Sequence, residues 1–203
     1  MSAAPVASTE RRILEAAESC FLRFGIAKVT MDNVAQQADV SRATLYRYFR
    51  DRDTLIEASV RRRNEHFVRR SHERLAQYGT FAERLEEGLC EDIRRAHDDS
   101  VARILTTAPR LTSPQSGHPT LAAEMALEIW EPILQEARTS GELREDLDFA
   151  DIADWLSRLE LMFVSQFGDD QSAFEQIRSY TQKFIVPALV AGAHDHQEQE
   201  QGA

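Results

Sequence analysis

Cysteine is scarce: the 203 residues include two, Cys20 and Cys90. Their spacing leaves no paired-cysteine metal site. Both fall inside helical apolar patterns, where a reduced, buried thiol acting as a small hydrophobe outweighs a redox switch. Lysine is scarcer than charge demands, with Lys28 and Lys183 alone among 24 basic residues, a bias that a GC-rich genome produces as readily as a function does. No run approaches the roughly eighteen apolar residues of a membrane span. Residues 1–8 lack the basic start and apolar core of a secretory signal. A cytoplasmic location with no membrane partner is therefore expected. No segment alternates apolar and polar residues between turns as a strand does. There is no GxxxxGK phosphate loop, no HExxH and no Ser-centred elbow, so no catalytic residue and no cofactor are expected. The histidines at 66, 72, 97, 118, 194 and 196 share no helix face at ligand spacing. His194 and His196 flank Asp195, but a solvated tail outweighs a metal site there, and no metal is expected.

What is present is helix, core and segregated charge. The hydrophobic fraction of 42% suffices for a core. The net charge of −10 looks hostile to DNA, yet residues 1–80 hold 14 basic and 10 acidic residues, whereas the remainder holds 10 and 24. A basic head on an acidic body directs nucleic-acid affinity to one end. The pattern predicts an all-α fold of about nine helices. A three-helix N-terminal module occupies residues 9–55 after a flexible terminus at 1–8, a linking fourth helix 56–80, a larger helical domain 81–191, and a disordered tail 192–203.

The first helix starts after Ser8 or Thr9, with Ile13, Leu14, Ala17, Phe21 and Phe24 as its apolar stripe and Gly25 as its stop. Thr30 caps a short second helix with Val34, Ala35 and Ala38 inward. Asp39 and Val40 form a tight connection, and Ser41 caps a third helix to about Arg50. A fourth begins near Asp51–Asp53 and runs to about Tyr78, with Gly79 and Thr80 marking a domain boundary. Further helices are expected at 81–97, 100–107, 120–140, 148–168 and 172–191, with a loop at 108–119 containing Pro109, Pro114, Gly117 and Pro119. Pro132 should kink or break the 120–140 helix.

Residues 30–49, TMDNVAQQADVSRATLYRYF, have the form of a helix-turn-helix. At about 100° per residue, Ser41, Leu45 and Phe49 share an inward face, Ala43, Arg47 and Arg50 lie opposite, and Thr44 and Tyr46 flank them. Such an outer face, short-chained and basic, fits a major groove about 12 Å wide. Arg47 can form a bidentate contact to guanine or a strong one to phosphate. Ala43 can approach a thymine methyl, and Thr44 a base edge or phosphate. Tyr46 and Tyr48 suit phosphate oxygens at the groove rim. Thr30 and Arg52 stand at helix starts, where backbone N–H groups attract phosphate, and Arg42 can reach base or phosphate. The competing reading is a helical bundle with a basic face, serving as a protein-interaction adaptor.

The segment from about Ser8 to Leu55 resembles the N-terminal domain of the TetR family of bacterial transcriptional regulators. The resemblance rests on Ile13, Ala16, Ala17, Phe21, Gly25, Thr30, Ala35, Ala38, Val40, Ser41, Leu55 and the run Thr44-Leu45-Tyr46-Arg47-Tyr48-Phe49. It covers about a quarter of the chain closely, and the rest only in length and helical plan. Two departures stand out. Asp39 replaces the family's usual Gly, which Asp tolerates in a left-handed backbone at modest cost. Arg52 replaces a frequent Lys, keeping a phosphate contact with different geometry. The resemblance implies a homodimer, a palindromic double-stranded operator and release of DNA on binding a small molecule, with repressor more usual than activator.

In the C-terminal part, Ile152, Trp155, Leu156, Leu159, Phe163 and Phe167 share one face of the 148–168 helix. Phe174, Ile177, Phe184, Ala188 and Leu189 share one of the next. Two such helices from each of two subunits could form a four-helix bundle, and the resemblance suggests this pair as the dimer interface, with Ile152, Trp155, Leu159, Phe174, Ile177, Phe184 and Ala188 as its residues. The alternative is that they close the monomer core. Candidate ligand-pocket walls are Leu89, Ile104, Leu105, Met125, Ile129, Trp130, Met162 and Phe163, for each of which an ordinary core role outweighs a ligand contact. Glu160 breaks an apolar face, so its carboxyl must be paired or protonated. Either a ligand contact or an ion pair to an arginine satisfies it.

Overall fold

The computed structural model describes residues 4–99 and 119–192. The chain forms two compact units that divide at His66 and Phe67, inside the fourth helix rather than at Gly79–Thr80. Among the described residues the fold is helical, with no strand beyond one bridge between Leu143 and Val190. No described helix is long and apolar enough to cross a membrane.

The first unit holds α1 (Ala4–Phe24), a 3-10 turn at Ile26–Lys28, α2 (Met31–Gln37), α3 (Arg42–Tyr48) and the start of α4 (Arg52–Leu75). α1 begins ahead of the Ser8 or Thr9 cap, so residues 4–8 are helical rather than a free terminus. Its stripe is buried at Ile13, Leu14, Ala17 and Phe21, but Phe24 is exposed. Gly25 follows at once with φ 74°, turning the chain before Phe24 could pack, and the Arg23 guanidinium covers the Phe24 ring at 5.0 Å. Thr30 and Asn33 form a reciprocal capping box at α2, an arrangement worth about 1 kcal/mol per cap.

The second unit continues α4 from Phe67 and adds α5 (Phe81–Asp98), α6 (Leu121–Thr139), α7 (Phe149–Gln166) and α8 (Gln171–Tyr180). Side-chain caps start four of these elements: Thr80, Thr120, Asp148 and Asp170 each accept a backbone N–H of the first turn. α6 runs through Pro132 unbroken, with that residue exposed to solvent. The expected helix at 172–191 is not uniform. After α8 the backbone takes a π-helical turn at Thr181–Ile185 and closes in one α-turn, Val186–Leu189. Pro187 lacks the N–H that a regular helix would require there, and the Thr181 hydroxyl donates back to the Ile177 carbonyl at 3.0 Å. The expected helix at 100–107, with Ile104 and Leu105, lies outside the described residues, as do most of the 108–119 loop and residues 193–203.

The core of this unit gathers around Trp130, fully buried with Leu85, Leu89, Ile93, Leu134, Leu156 and Ile177. Three residues expected at a subunit interface belong to this core: Ile152, Phe174 and Ile177. α7 and α8 must cover α5 and α6, and these side chains point that way. Gly88 permits the closest approach, since a Cβ there would meet Trp130 Cη2 at 2.4 Å and Leu75 Cδ1 at 3.3 Å. Gly88→Ala should therefore lower stability by about 1–3 kcal/mol despite alanine's better helix propensity. Urea unfolding followed by circular dichroism reads this as a lower midpoint at unchanged slope.

Candidate functional site

The first unit presents α3 on a buried anchor. Leu45 is fully buried and Phe49 nearly so. The turn before it is set by Asp39, the one non-glycine residue with positive φ among those described, at 51°. That geometry lets the Val40 N–H reach the Ala35 carbonyl at 3.0 Å and aims the chain into α3. Ser41 then caps α3, its Oγ accepting the Thr44 N–H at 3.1 Å and lying 2.9 Å from the Thr44 hydroxyl. As the cap, Ser41 is itself exposed rather than part of the inward face.

With Leu45 inward, Ala43, Arg47 and Arg50 are exposed on the opposite side. Tyr46 is 43% exposed at the flank, and Thr44 and Tyr48 are half-buried. Arg47 lies over the Tyr48 ring at 5.4 Å and Arg42 over Tyr46 at 6.0 Å. Arg42 also pairs with Asp32 of α2 at 2.9 Å, an exposed contact too weak to hold it against a phosphate. Two expected contacts are more constrained. The Thr30 hydroxyl is engaged with Asn33 at 2.8 Å. The Arg52 guanidinium turns inward to donate to the Ile26 carbonyl, bracing the 3-10 turn instead of standing free at the surface. An arginine's fork reaches that carbonyl across the start of α4, and sequence spacing gives no sign of it.

A second cluster of polar groups is buried in the other unit. Asp92 of α5 and Glu160 of α7 lie within reach of each other, beside Arg95 and Trp130. Desolvation, and the proximity of Asp92, push the Glu160 carboxyl well above the usual range. Burial, partly offset by Arg95 and by Glu160 itself, raises Asp92 to about 6. Among the described residues Glu160 Oε1 and Trp130 Nε1 have no hydrogen-bond partner, so the indole N–H sits close enough to bias the carboxyl but makes no bond of good geometry. Asp92 escaped sequence reading, although Leu85, Leu89, Asp92 and Ala96 fall on one buried stripe of α5. Of the expected pocket walls, Leu89, Met125, Ile129, Trp130 and Phe163 are buried, whereas Met162 is 45% exposed on the outer side of α7.

Because both carboxyls keep protons in the fold at pH values where the unfolded chain would lose them, the pair's contribution to stability is greatest in acid and falls as pH rises from about 4 through 6 and above. Glu160→Gln keeps a donor toward Asp92 without the charge. It should raise the melting temperature by about 3–6 °C near pH 8 and leave it unchanged near pH 4. Scanning calorimetry across that range checks it, and an equal effect at both ends would contradict the assignment.

Two short capped helices at a tight turn, with the second helix's outer side polar, basic and open, define a helix-turn-helix DNA-reading module. The profile described as bacterial regulatory proteins of the tetR family matches residues 13–59. An uncharacterised HTH-type transcriptional regulator of Mycobacterium tuberculosis is 29% identical over 180 residues, spanning 88% of this chain and 84% of that one. The fold is shared by a TetR-family transcriptional regulator from Pectobacterium atrosepticum, with TM-score 0.71, 17% identity and coverage of 94% and 98%. It is also shared by the regulator FadR of Bacillus subtilis, solved with stearoyl-CoA, with TM-score 0.62, 20% identity and coverage of 84% and 96%. Residues 13–59 thus carry the DNA-binding module of tetR-family regulators, and the chain as a whole is similar in sequence to a transcriptional regulator and in fold to a TetR-family one.

Proposed function

We propose that the chain acts as a homodimeric repressor that grips a palindromic operator through Ala43, Thr44, Tyr46, Arg47 and Tyr48 and lets go when the second unit binds a small molecule. The observation that carries this reading is the open side of α3, where Ala43 and Arg47 stand bare above a buried Leu45. The dimer rests on a second observation. On α7, at the end of α8 and in the π-turn beyond it, Trp155, Met162, Tyr180 and Phe184 are 36%, 45%, 38% and 66% exposed. Leu159 and Ala188 are half-buried in the same helical stretches. An aromatic strip of this kind on paired helices suits an isologous four-helix contact. The FadR structure carries stearoyl-CoA, which supports a ligand role for the second unit.

A ligand that favours a head spacing other than the about 34–36 Å of successive major grooves would draw the population off DNA. Genomic fragments retained by the purified chain, once sequenced, should share an inverted repeat. A retained pool with no common motif removes the operator reading, and a reporter silenced by deleting the gene makes the chain an activator.

A further inference from the structure

The polar cluster on the inner side of α5 holds more acid groups than cations among the described residues. Arg74 of α4 pairs with Glu91 of α5, so those two cancel. Arg95 of α5, whose guanidinium lies over the Phe67 ring at 3.5 Å, is the remaining cation among the described groups acting on Asp92 and Glu160. Among the described residues one cation faces two carboxyls, so the pair is balanced only while it keeps a proton.

Unmet polar groups surround it. The Trp130 indole N–H, the Ser71 hydroxyl and Glu160 Oε1 are buried without hydrogen-bond partners among the described residues, and Trp130 and Ser71 are themselves 0% and 4% exposed. Ser71, Arg74, Leu75, Gly88, Glu91, Asp92 and Ile129 enclose a cavity of about 10 Å³, room for one water at most. A fold seldom leaves this many polar groups unsatisfied in its interior without a use for them.

We propose that the Asp92–Glu160 pair is the polar end of the effector site and that its ligand carries a positively charged nitrogen, an ammonium or amidinium group. This rests on the ligand-responsive reading above and gives it a chemical class. The cation supplies the charge in place of that proton, and its N–H groups satisfy Glu160. Its carbon body lies against Trp130, which neighbours Glu160, and Ile129, which lines the cavity with Asp92. The small cavity means that side chains must yield on entry. Binding displaces the proton that the pair keeps when empty, so affinity rises with pH. The charged groups bearing on the pair are Arg95 and Glu91 on α5, Arg74 on α4, and each carboxyl upon the other.

The test is isothermal titration calorimetry on the full chain with benzamidinium and phenethylammonium, alongside neutral benzamide and anionic benzoate. At least one cation should bind saturably, about tenfold or more tighter than benzamide, with benzoate weaker still. Near pH 5.5, buffers of different ionisation enthalpy should reveal release of about one proton per site. Glu160→Gln and Asp92→Asn, checked for folding by circular dichroism, should each weaken the cation about tenfold or more. The exposed control Glu145→Gln should not. Absence of saturable binding by either cation, equal affinity for benzamide, or indifference to both substitutions overturns the proposal. Cation binding that obeys these rules while operator affinity stays constant keeps the cation site but removes the release mechanism.

Discussion

Arg47→Ala is expected to weaken binding to the cognate operator about 30-fold or more, the loss of one bidentate base contact of about 1–3 kcal/mol in each of two half-sites. Binding to unrelated duplex should fall far less, because only one positive charge per subunit is removed from a phosphate-dominated interaction. The substitution is on an exposed position of α3, so stability should be unaffected. Arg47→Lys separates the two roles of the side chain. Lysine keeps the charge but loses the planar fork, so nonspecific affinity should survive while operator discrimination does not. Fluorescence anisotropy against operator and scrambled duplex at two salt concentrations reads all of this. Equal losses on both duplexes would make Arg47 a phosphate contact only, and no loss on either would remove α3 from the interface.

The paired substitution Trp155→Glu with Phe184→Glu should convert the proposed dimer to a folded monomer. Both side chains are exposed in the single chain, at 36% and 66%, so the subunit's own core is untouched. In a twofold contact the change places four carboxylates where apolar rings met, and dimer affinity should drop about 100-fold or more. Operator affinity should fall with it, because a lone head loses the second half-site and the effective concentration that linkage provides. Sedimentation velocity at micromolar concentration gives the assembly state, and circular dichroism the fold. A variant that stays dimeric would move the interface elsewhere on the surface.

Much of the reading module was visible in the sequence because its signals are local. Thr30 and Ser41 cap helices as their spacing implies. Asp39 takes the left-handed backbone that a tight turn demands. Leu45 and Phe49 are buried and Ala43 and Arg47 bare, as the helical period of α3 requires. Contacts over long separations were not visible. Arg52 reaching back to Ile26, Gly88 admitting the Trp130 ring, and Asp92 meeting Glu160 across α5 and α7 each depend on how elements stack. The same limit explains the interface residues. An apolar stripe states that a face is covered, not by what, so Ile152, Phe174 and Ile177 in the core were indistinguishable by period from Trp155 and Phe184 outside. The π-turn at Thr181–Ile185 adds to this, since it breaks the period on which any helical wheel past Tyr180 relies.

Hydroxyl-radical footprinting of the intact chain on a retained genomic fragment tests most directly that the open side of α3 reads DNA in twofold pairs. Two symmetric protected patches, centred about 10–10.5 base pairs or a multiple apart and lost together in Arg47→Ala, are the expected result. A single patch, or uniform protection that Arg47→Ala leaves unchanged, would contradict it.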